Sequence, residues 1–526
     1  MRRTEILRSK GAGRIGVGIL AVLLVAATVS GILLPLIPAI TEDGFAQLMA
    51  PDAGFQAALN NTLLDVAVIG VGGFVLAWLI ACGLDAQPER RKYAALILLI
   101  LPMACPTLVQ GAAMRLIQDD AYGIINGYMM KWKWLAEPIG FHSDVRIGPN
   151  VARAVQLLEC LGPAVLLICA GMDAARRSGS DSCVLRVPLL MAAAVMLMGT
   201  LGTESILYGL RCDADDVIYH ANHWHWLQVM HQGPAAVGSG SAAAPLCVVT
   251  GLALMALMLL AVPVWLLTRR TEGSRRSGVG VVQAVGTAVA VLVLLLILVL
   301  VLLAVFASFM TLEDIFVWPS RLIPTQLSLC NFQDLAIAFE MSTPGAVGEM
   351  LCLLLIALLL SALWLVFVCW CSCAGAGWMK PPARVWLQAM LVALSLTASG
   401  LRFLLPDGAH TILPMTGAAA LTGGALLLGA EHLMADGGTA RRLRSVGIAL
   451  LCALILAGWH GILTHQLQML DLGRGVGADL GRYAAFGMLQ GLPSVLLSIP
   501  AVIGLFPVLS AAFCAQPGEH KLGGNA

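Results

Sequence analysis

The sequence predicts an all-α integral membrane protein of about 12 transmembrane helices, arranged as two parallel six-helix repeats. Of the 526 residues, 59% are apolar and 12% are charged, whereas soluble domains carry about 25% charged residues. The apolar residues also form long runs without period-two alternation, such as Val281 to Phe306. Because lipid offers the backbone no hydrogen-bond partners, such runs predict spanning helices.

Residues 1–268 are predicted to form the first half, with six spans bounded by charges or by Pro and Gly clusters. The first apolar run follows five basic residues and is longer than the apolar part of a signal peptide, so we expect an uncleaved span. The six spans are Ile15 to Ile40, Asn61 to Gly83, Tyr93 to Met114, Val151 to Met172, Val187 to Leu210 and Pro245 to Thr268.

A basic linker, 269–280, precedes the second half, 281–526, where six more spans are predicted. Six is an even number, so both halves start on the same side of the membrane, as parallel repeats require. The spans are Val281 to Phe306, Ala346 to Trp370, Val385 to Leu405, Ile412 to Ala430, Val446 to Leu463 and Ala484 to Phe513.

The charged residues predict the orientation and disfavour several classes of function. With the N-terminus in the cytoplasm, most of the 31 Lys and Arg residues fall in cytoplasmic segments, as the positive-inside rule requires. A net charge of +1 gives no indication of nucleic-acid binding. No Gly-rich segment resembles a nucleotide-binding loop, so we expect any ATPase to be a separate chain.

Most of the 14 cysteines lie in or beside apolar runs, where Cys behaves as a small hydrophobic residue. The cluster of Cys369, Cys371 and Cys373 lacks a second pair of ligands for zinc. Four histidines with interleaved tryptophans, between His220 and His231, fit an aromatic interfacial segment better than a metal site. We therefore predict no metal site.

Two predicted cytoplasmic segments share a motif at matching places, between the fourth and fifth spans of each half. The first begins Asp173-Ala174-Ala175 and reaches Gly179; the second begins at Glu431 and contains Asp436-Gly437. Both resemble the "EAA" loop of bacterial ATP-binding-cassette (ABC) importer permeases.

Further motifs follow the order of the two sugar permease subunits of such importers. Asn61-Thr62-Leu63, Leu101-Pro102 with Pro106, and Tyr122 to Asn126 resemble the first subunit. Ser308 to Pro319, Ser328 to Phe332, Trp459 and Gly491-Leu492-Pro493 resemble the second. The resemblance implies two fused permeases of the carbohydrate-uptake class, similar to maltose and glycerol-3-phosphate systems, in the bacterial cytoplasmic membrane.

The resemblance also implies partners and roles. Two cytoplasmic ABC ATPase subunits would bind ATP and contact the two loops, and an extracytoplasmic solute-binding protein would deliver a carbohydrate. This chain would hold no catalytic residue and no cofactor. Asp173 would begin a short projecting helix, Ala174 and Ala175 would permit close approach, and Gly179 would end it. Glu431, Asp436 and Gly437 would form the second copy of the loop.

Ionisable residues within predicted spans should face the protein interior, because a charge at bilayer depth is costly. For Glu159 and Glu204 we expect sugar contacts or, in preference, an internal ion pair with Arg153. Pro102 and Pro106 would kink or unwind the third span beside a translocation path, which the resemblance extends to Trp459. An ion-coupled secondary carrier of 12 helices is the alternative, with Glu159 or Glu204 as the titrating group. A membrane-embedded enzyme is disfavoured, because the sequence shows no catalytic pair of residues.

Overall fold

A computed structural model of the chain describes residues 55–104, 117, 123–141, 147–177, 185–200, 279–311 and 321–333. It also describes shorter stretches within 248–264, 313–319 and 499–510. Throughout these residues, all regular secondary structure is helical. The predicted span Ile15 to Ile40 and the four spans between Ala346 and Leu463 lie outside the described residues, so their prediction is not tested.

The second predicted span is confirmed as one continuous helical rod. It comprises α1 (Phe55–Asp65), a π-helical segment (Val66–Gly72) and α2 (Gly73–Asp85). Its residues Leu59–Asp85 form one of three helices in the described chain that are long and apolar enough to cross a membrane, as expected of a membrane protein.

The third predicted span begins as α3 (Glu89–Ala104), which contains Pro102. The helix therefore continues through this proline for two residues, and Pro106 lies outside the described part. A short helix, α4 (Ile124–Lys131), follows. Its buried Asn126 donates through Nδ2 to the carbonyl of Ile139 at 2.8 Å and accepts from the Ile139 N–H at 2.9 Å, which closes the chain into a compact loop.

The fourth predicted span is the central helix of the described bundle, α5 (Gly148–Arg177). In the apolar part of this helix that is long enough to cross a membrane, 72% is buried. The reason is that α2, α3 and α6 (Arg186–Gly199) all pack against it. Gly162 permits the close approach of α3, since a Cβ there would collide with the backbone of Leu99. The helix continues five residues beyond the predicted end at Met172.

The first span of the predicted second half is confirmed as α7 (Val279–Ser308). Its membrane-length stretch is only 17% buried, and large apolar side chains such as Val281 and Leu292 are exposed. An apolar lateral surface of this kind is what a lipid-facing helix presents. It packs against α2 and α3, and its backbone comes close to α2 where Gly286 meets the backbone of Leu79 and Gly83. The Thr287 hydroxyl lies 3.3 Å from the Gly83 carbonyl and donates to the Gln283 carbonyl of its own helix at 2.8 Å.

The loop after α7 folds around the buried Asp314. Its carboxylate accepts hydrogen bonds from the Thr325 hydroxyl at 2.6 Å and from the Thr311 hydroxyl at 3.4 Å, and Arg321 Nε lies 3.5 Å from it. Burial alone would raise the pKa of Asp314. The hydrogen bond from the Thr325 hydroxyl, those from the backbone N–H groups of Thr311 and Thr325, and the Arg321 charge outweigh burial and hold the pKa below its usual value.

Candidate functional site

One end of the bundle carries a network of charges that joins three helices. Asp85 ends α2, and its carboxylate lies 3.3 Å from Lys92 Nζ in the first turn of α3. Arg176, near the end of α5, forms an ion pair with the same carboxylate and donates to the Asp85 carbonyl at 2.9 Å. The α2–α3 connection is thereby bonded to the segment Asp173–Arg177, called here the α5 tip.

The α5 tip also contacts a segment far along the chain. Asp173 accepts a hydrogen bond from the Ser510 hydroxyl at 2.6 Å and lies 2.7 Å from Arg177 on its own helix. Beside it, Phe506 packs edge-on against Tyr93, and Lys92 Nζ lies 5.0 Å above its ring. Residues of the predicted second half are therefore bonded to the first half at this end.

The structure corrects the expected role of Asp173 as the start of a short helix. Asp173 lies in the C-terminal part of the 30-residue α5, where the helix dipole disfavours a carboxylate. Arg177, one turn later, compensates for this position. The predicted end of the span was wrong because it was placed at the first charged residue after the apolar run; the coupling role of this segment stays a prediction.

The two alanines also lie differently from the expectation. Ala174 is 0% exposed and Ala175 is 9% exposed, so their small side chains pack inside this chain. The side chains of Arg176 and Arg177 are the exposed part of the tip, at 55% and 56%, although each guanidinium group is also in an ion pair. Gly179 lies outside the described residues.

A buried ion pair lies nearer the opposite end of α5. Arg153 Nε is 2.5 Å from Asp65 Oδ1, and the two side chains are 5% and 1% exposed. Arg153 also donates to Asn150 Oδ1 at 2.8 Å and to the Asn61 carbonyl at 3.4 Å. The expected pair with Glu159 is not formed, because six residues along a helix place two side chains on different faces. Asp65 is a carboxylate within a predicted span, and this position in the sequence could have identified it as a buried partner for Arg153.

Glu159 itself lies beside Gln156, one turn earlier on α5. Gln156 is 3% exposed and its Nε2 donates to Cys160 Sγ at 3.3 Å. Gln156 Oε1 and Glu159 Oε2 are the buried side-chain polar atoms that lack a hydrogen-bond partner in the described part of the chain.

The other predicted site residues are outside the described ranges, and no group of metal-binding side chains occurs within those ranges. The residues outside are Glu204, Glu431, Asp436, Gly437 and Trp459. No protein-family model, curated protein or solved structure matches this chain. The motif resemblance therefore stays a prediction.

Proposed function

We propose that this chain is the membrane permease of an ABC importer for a sugar or a related small solute. It would work in the bacterial cytoplasmic membrane, with its N-terminus inside. Two separate ATPase subunits would bind its cytoplasmic face, and an extracytoplasmic solute-binding protein would deliver the solute. The supporting observation is the bonding of the α5 tip to the α2–α3 connection and to Ser510.

Such bonding suits a part that transmits movement. A displacement of the tip would move α5, which is the most buried spanning helix described, and would pull on Asp85 and Ser510 together. Charge-assisted hydrogen bonds are shorter and stronger than neutral ones, so the linkage is stiff. The side chains of Arg176 and Arg177 are more than half exposed, and their guanidinium N–H groups beyond those paired with Asp85 and Asp173 are suited to carboxylates on a motor subunit.

The test is uptake and ATP hydrolysis by the complex purified from its source membrane and reconstituted in vesicles. Arg177→Glu should reduce ATP-driven uptake at least about tenfold while the complex still hydrolyses ATP, because a contact worth about 1.4 kcal/mol or more would be lost. Lys131→Glu, an exposed charge reversal on α4, is the matched control and should leave uptake unchanged. Normal uptake by Arg177→Glu would count against the lever role.

The second candidate, an ion-coupled secondary carrier, is favoured by the half-buried Glu159, whose Oε2 atom is buried and has no hydrogen-bond partner among the described residues. The energy source separates the two candidates. An ABC permease requires ATP and its ATPase subunits for uptake. Uptake by the chain alone that a protonophore abolishes would support the carrier and overturn the importer proposal.

A further inference from the structure

The loop after α7 exposes large apolar side chains. Leu327 is 79% exposed and Ile323 is 64% exposed. From Val317 to Gln333 the sequence contains a single charged residue, Arg321, and its Nε lies 3.5 Å from the buried Asp314 carboxylate. A dense group of exposed apolar side chains marks a surface that contacts protein or membrane. The group is Val317, Trp318, Leu322, Ile323, Leu327 and Leu329.

Hydrogen bonds hold the far part of this loop against the end of α7. A helix leaves its last carbonyl groups without partners inside the helix. The buried Asn331 donates through Nδ2 to the carbonyl of Ser308 at 3.2 Å and to that of Met310 at 2.8 Å. The rings of Phe309 and Phe332 lie 5.6 Å apart beside these bonds. The loop therefore returns to the point where α7 ends.

The two exposed leucines of the group lie at this same point. The N–H of Ser328 donates to the carbonyl of Phe309, the first residue after α7, at 3.1 Å. Leu327 and Leu329 flank Ser328, so their Cα atoms are about 3.8 Å from its Cα. The backbone bonds thus fix both leucines at the level of the helix end, and not out in the surrounding water.

The end of α7 lies about one membrane thickness from its crossing with α2. Gly286 meets the backbone of Leu79 and Gly83, close to Asp85, which is bonded to the α5 tip. Ser308 is 22 residues after Gly286 on α7, which is about 33 Å along the axis at 1.5 Å per residue. The hydrocarbon layer is about 30 Å thick. When α7 spans the membrane, its end therefore emerges at the surface opposite the α5 tip.

Lipid fits these side chains better than a protein partner does. The apolar side chains of α7 itself, such as Leu292, are exposed, so the loop continues a lateral surface that already suits lipid. Trp318 is 51% exposed, and tryptophan is enriched at membrane interfaces because its apolar ring carries a polar N–H. A protein that docked only transiently would leave the whole apolar group in water between encounters.

We propose that the loop after α7 lies in the membrane interface, in the leaflet opposite the α5 tip. Ile323, Leu327 and Leu329 insert among the acyl chains, and Trp318 lies at the level of the headgroups. In the orientation proposed above, this is the outer leaflet. The inference requires that α7 spans the membrane and does not require an ATPase, so its failure would leave the importer proposal standing.

The accessibility of a spin label to two collision partners tests the proposal. Leu327→Cys in the otherwise cysteine-free full-length chain would carry a nitroxide, in vesicles of phosphatidylethanolamine and phosphatidylglycerol. Its collisions with oxygen, which concentrates in lipid, and with a water-soluble nickel chelate would be measured. Leu292→Cys on the lateral surface of α7 is the lipid reference, and Arg177→Cys on the exposed side of the α5 tip is the water reference.

The ratio of oxygen to nickel collisions at Leu327→Cys should be several times that at Arg177→Cys and below that at Leu292→Cys, because an interfacial side chain is shallower than one on a spanning helix. A ratio equal to that at Arg177→Cys would overturn the proposal. If an added solute-binding protein then shields the label from the nickel chelate, the partner of this loop is that protein and not lipid.

Tryptophan quenching gives an independent result if the labelled chain does not fold. The emission of wild type minus that of Trp318→Phe isolates Trp318. Lipids brominated near the headgroup should quench this difference several times more than lipids brominated at the ends of the acyl chains. Equal quenching by the two lipids, or quenching by aqueous acrylamide alone, would overturn the proposal. Size-exclusion chromatography in detergent checks the folding of all variants.

Discussion

The buried ion pair between Asp65 and Arg153 allows a quantitative prediction. Removing one member of such a pair leaves an uncompensated buried charge and costs about 3 to 5 kcal/mol. Asp65→Leu should lie near the lower end, because Arg153 keeps its bonds to Asn150 and Asn61. Arg153→Met should lie near the upper end, because the 1% exposed carboxylate of Asp65 loses its cation.

The double variant separates this explanation from simple loss of packing. With both charges gone, no buried charge remains, and stability should return to within about 2 kcal/mol of wild type. The two substitutions are therefore coupled by at least about 4 kcal/mol, close to 1,000-fold in the unfolding equilibrium.

The assay is equilibrium unfolding in mixed micelles of increasing denaturing-detergent fraction, followed by tryptophan fluorescence and circular dichroism. Lys131→Met, which removes an exposed charge and its contact with the Tyr128 ring at 5.7 Å, is the control and should change the free energy of unfolding by less than about 1 kcal/mol. If the single costs simply add in the double variant, the ion pair is refuted.

Two further predictions concern α7 and the loop that follows it. Gly286→Leu should destabilise the chain by about 3 kcal/mol or more in the same assay, because the new leucine side chain would meet the backbone of α2. Gly280→Leu is the control and should be near neutral, because nothing lies within 4 Å of its Cβ position. Equal costs for the two variants would contradict the crossing of α7 over α2. Because the pKa of Asp314 is lower in the folded chain than in the unfolded chain, its hydrogen bonds stabilise the loop fully above pH about 4, the usual pKa of Asp. This stabilisation is lost as the pH falls through the lower pKa of the folded chain. Amide hydrogen exchange of residues 321–330, corrected for its intrinsic pH dependence, should therefore show that protection in the wild type falls only in strong acid. Asp314→Asn should lack this protection already at neutral pH. If Asp314→Asn is protected as well as the wild type, the hydrogen bonds of Asp314 do not stabilise the loop.

The positions of the described spans could be predicted from the sequence because a helix needs about 20 mostly apolar residues to cross the lipid hydrocarbon layer. Asn61 to Gly83, Val151 to Met172 and Val281 to Phe306 all lie within longer helices of the structure. The end of α5 was misplaced because charged residues one turn apart, Asp173 and Arg177, stabilise a helix as readily as they mark a loop.

The sequence does not predict which side chains pair between helices or where a helix is locally π-helical. Asp65 and Arg153 are 88 residues apart, and their contact follows from how α1 packs on α5. The π-helical segment Val66–Gly72 contains only apolar and glycine residues, which fit an α-helix equally well. In contrast, the burial of Ala174 and Ala175 could have been foreseen, since helical spacing continues the apolar face of α5 past Met172.

The most direct test of the paired architecture is the side of the membrane on which the two loops lie. In a cysteine-free background, single cysteines at Arg177 and Glu431 would be labelled with a membrane-impermeant maleimide in vesicles of each orientation. Both should react only in inside-out vesicles. Reaction of the two positions from opposite sides would contradict the parallel repeats and, with them, the importer proposal.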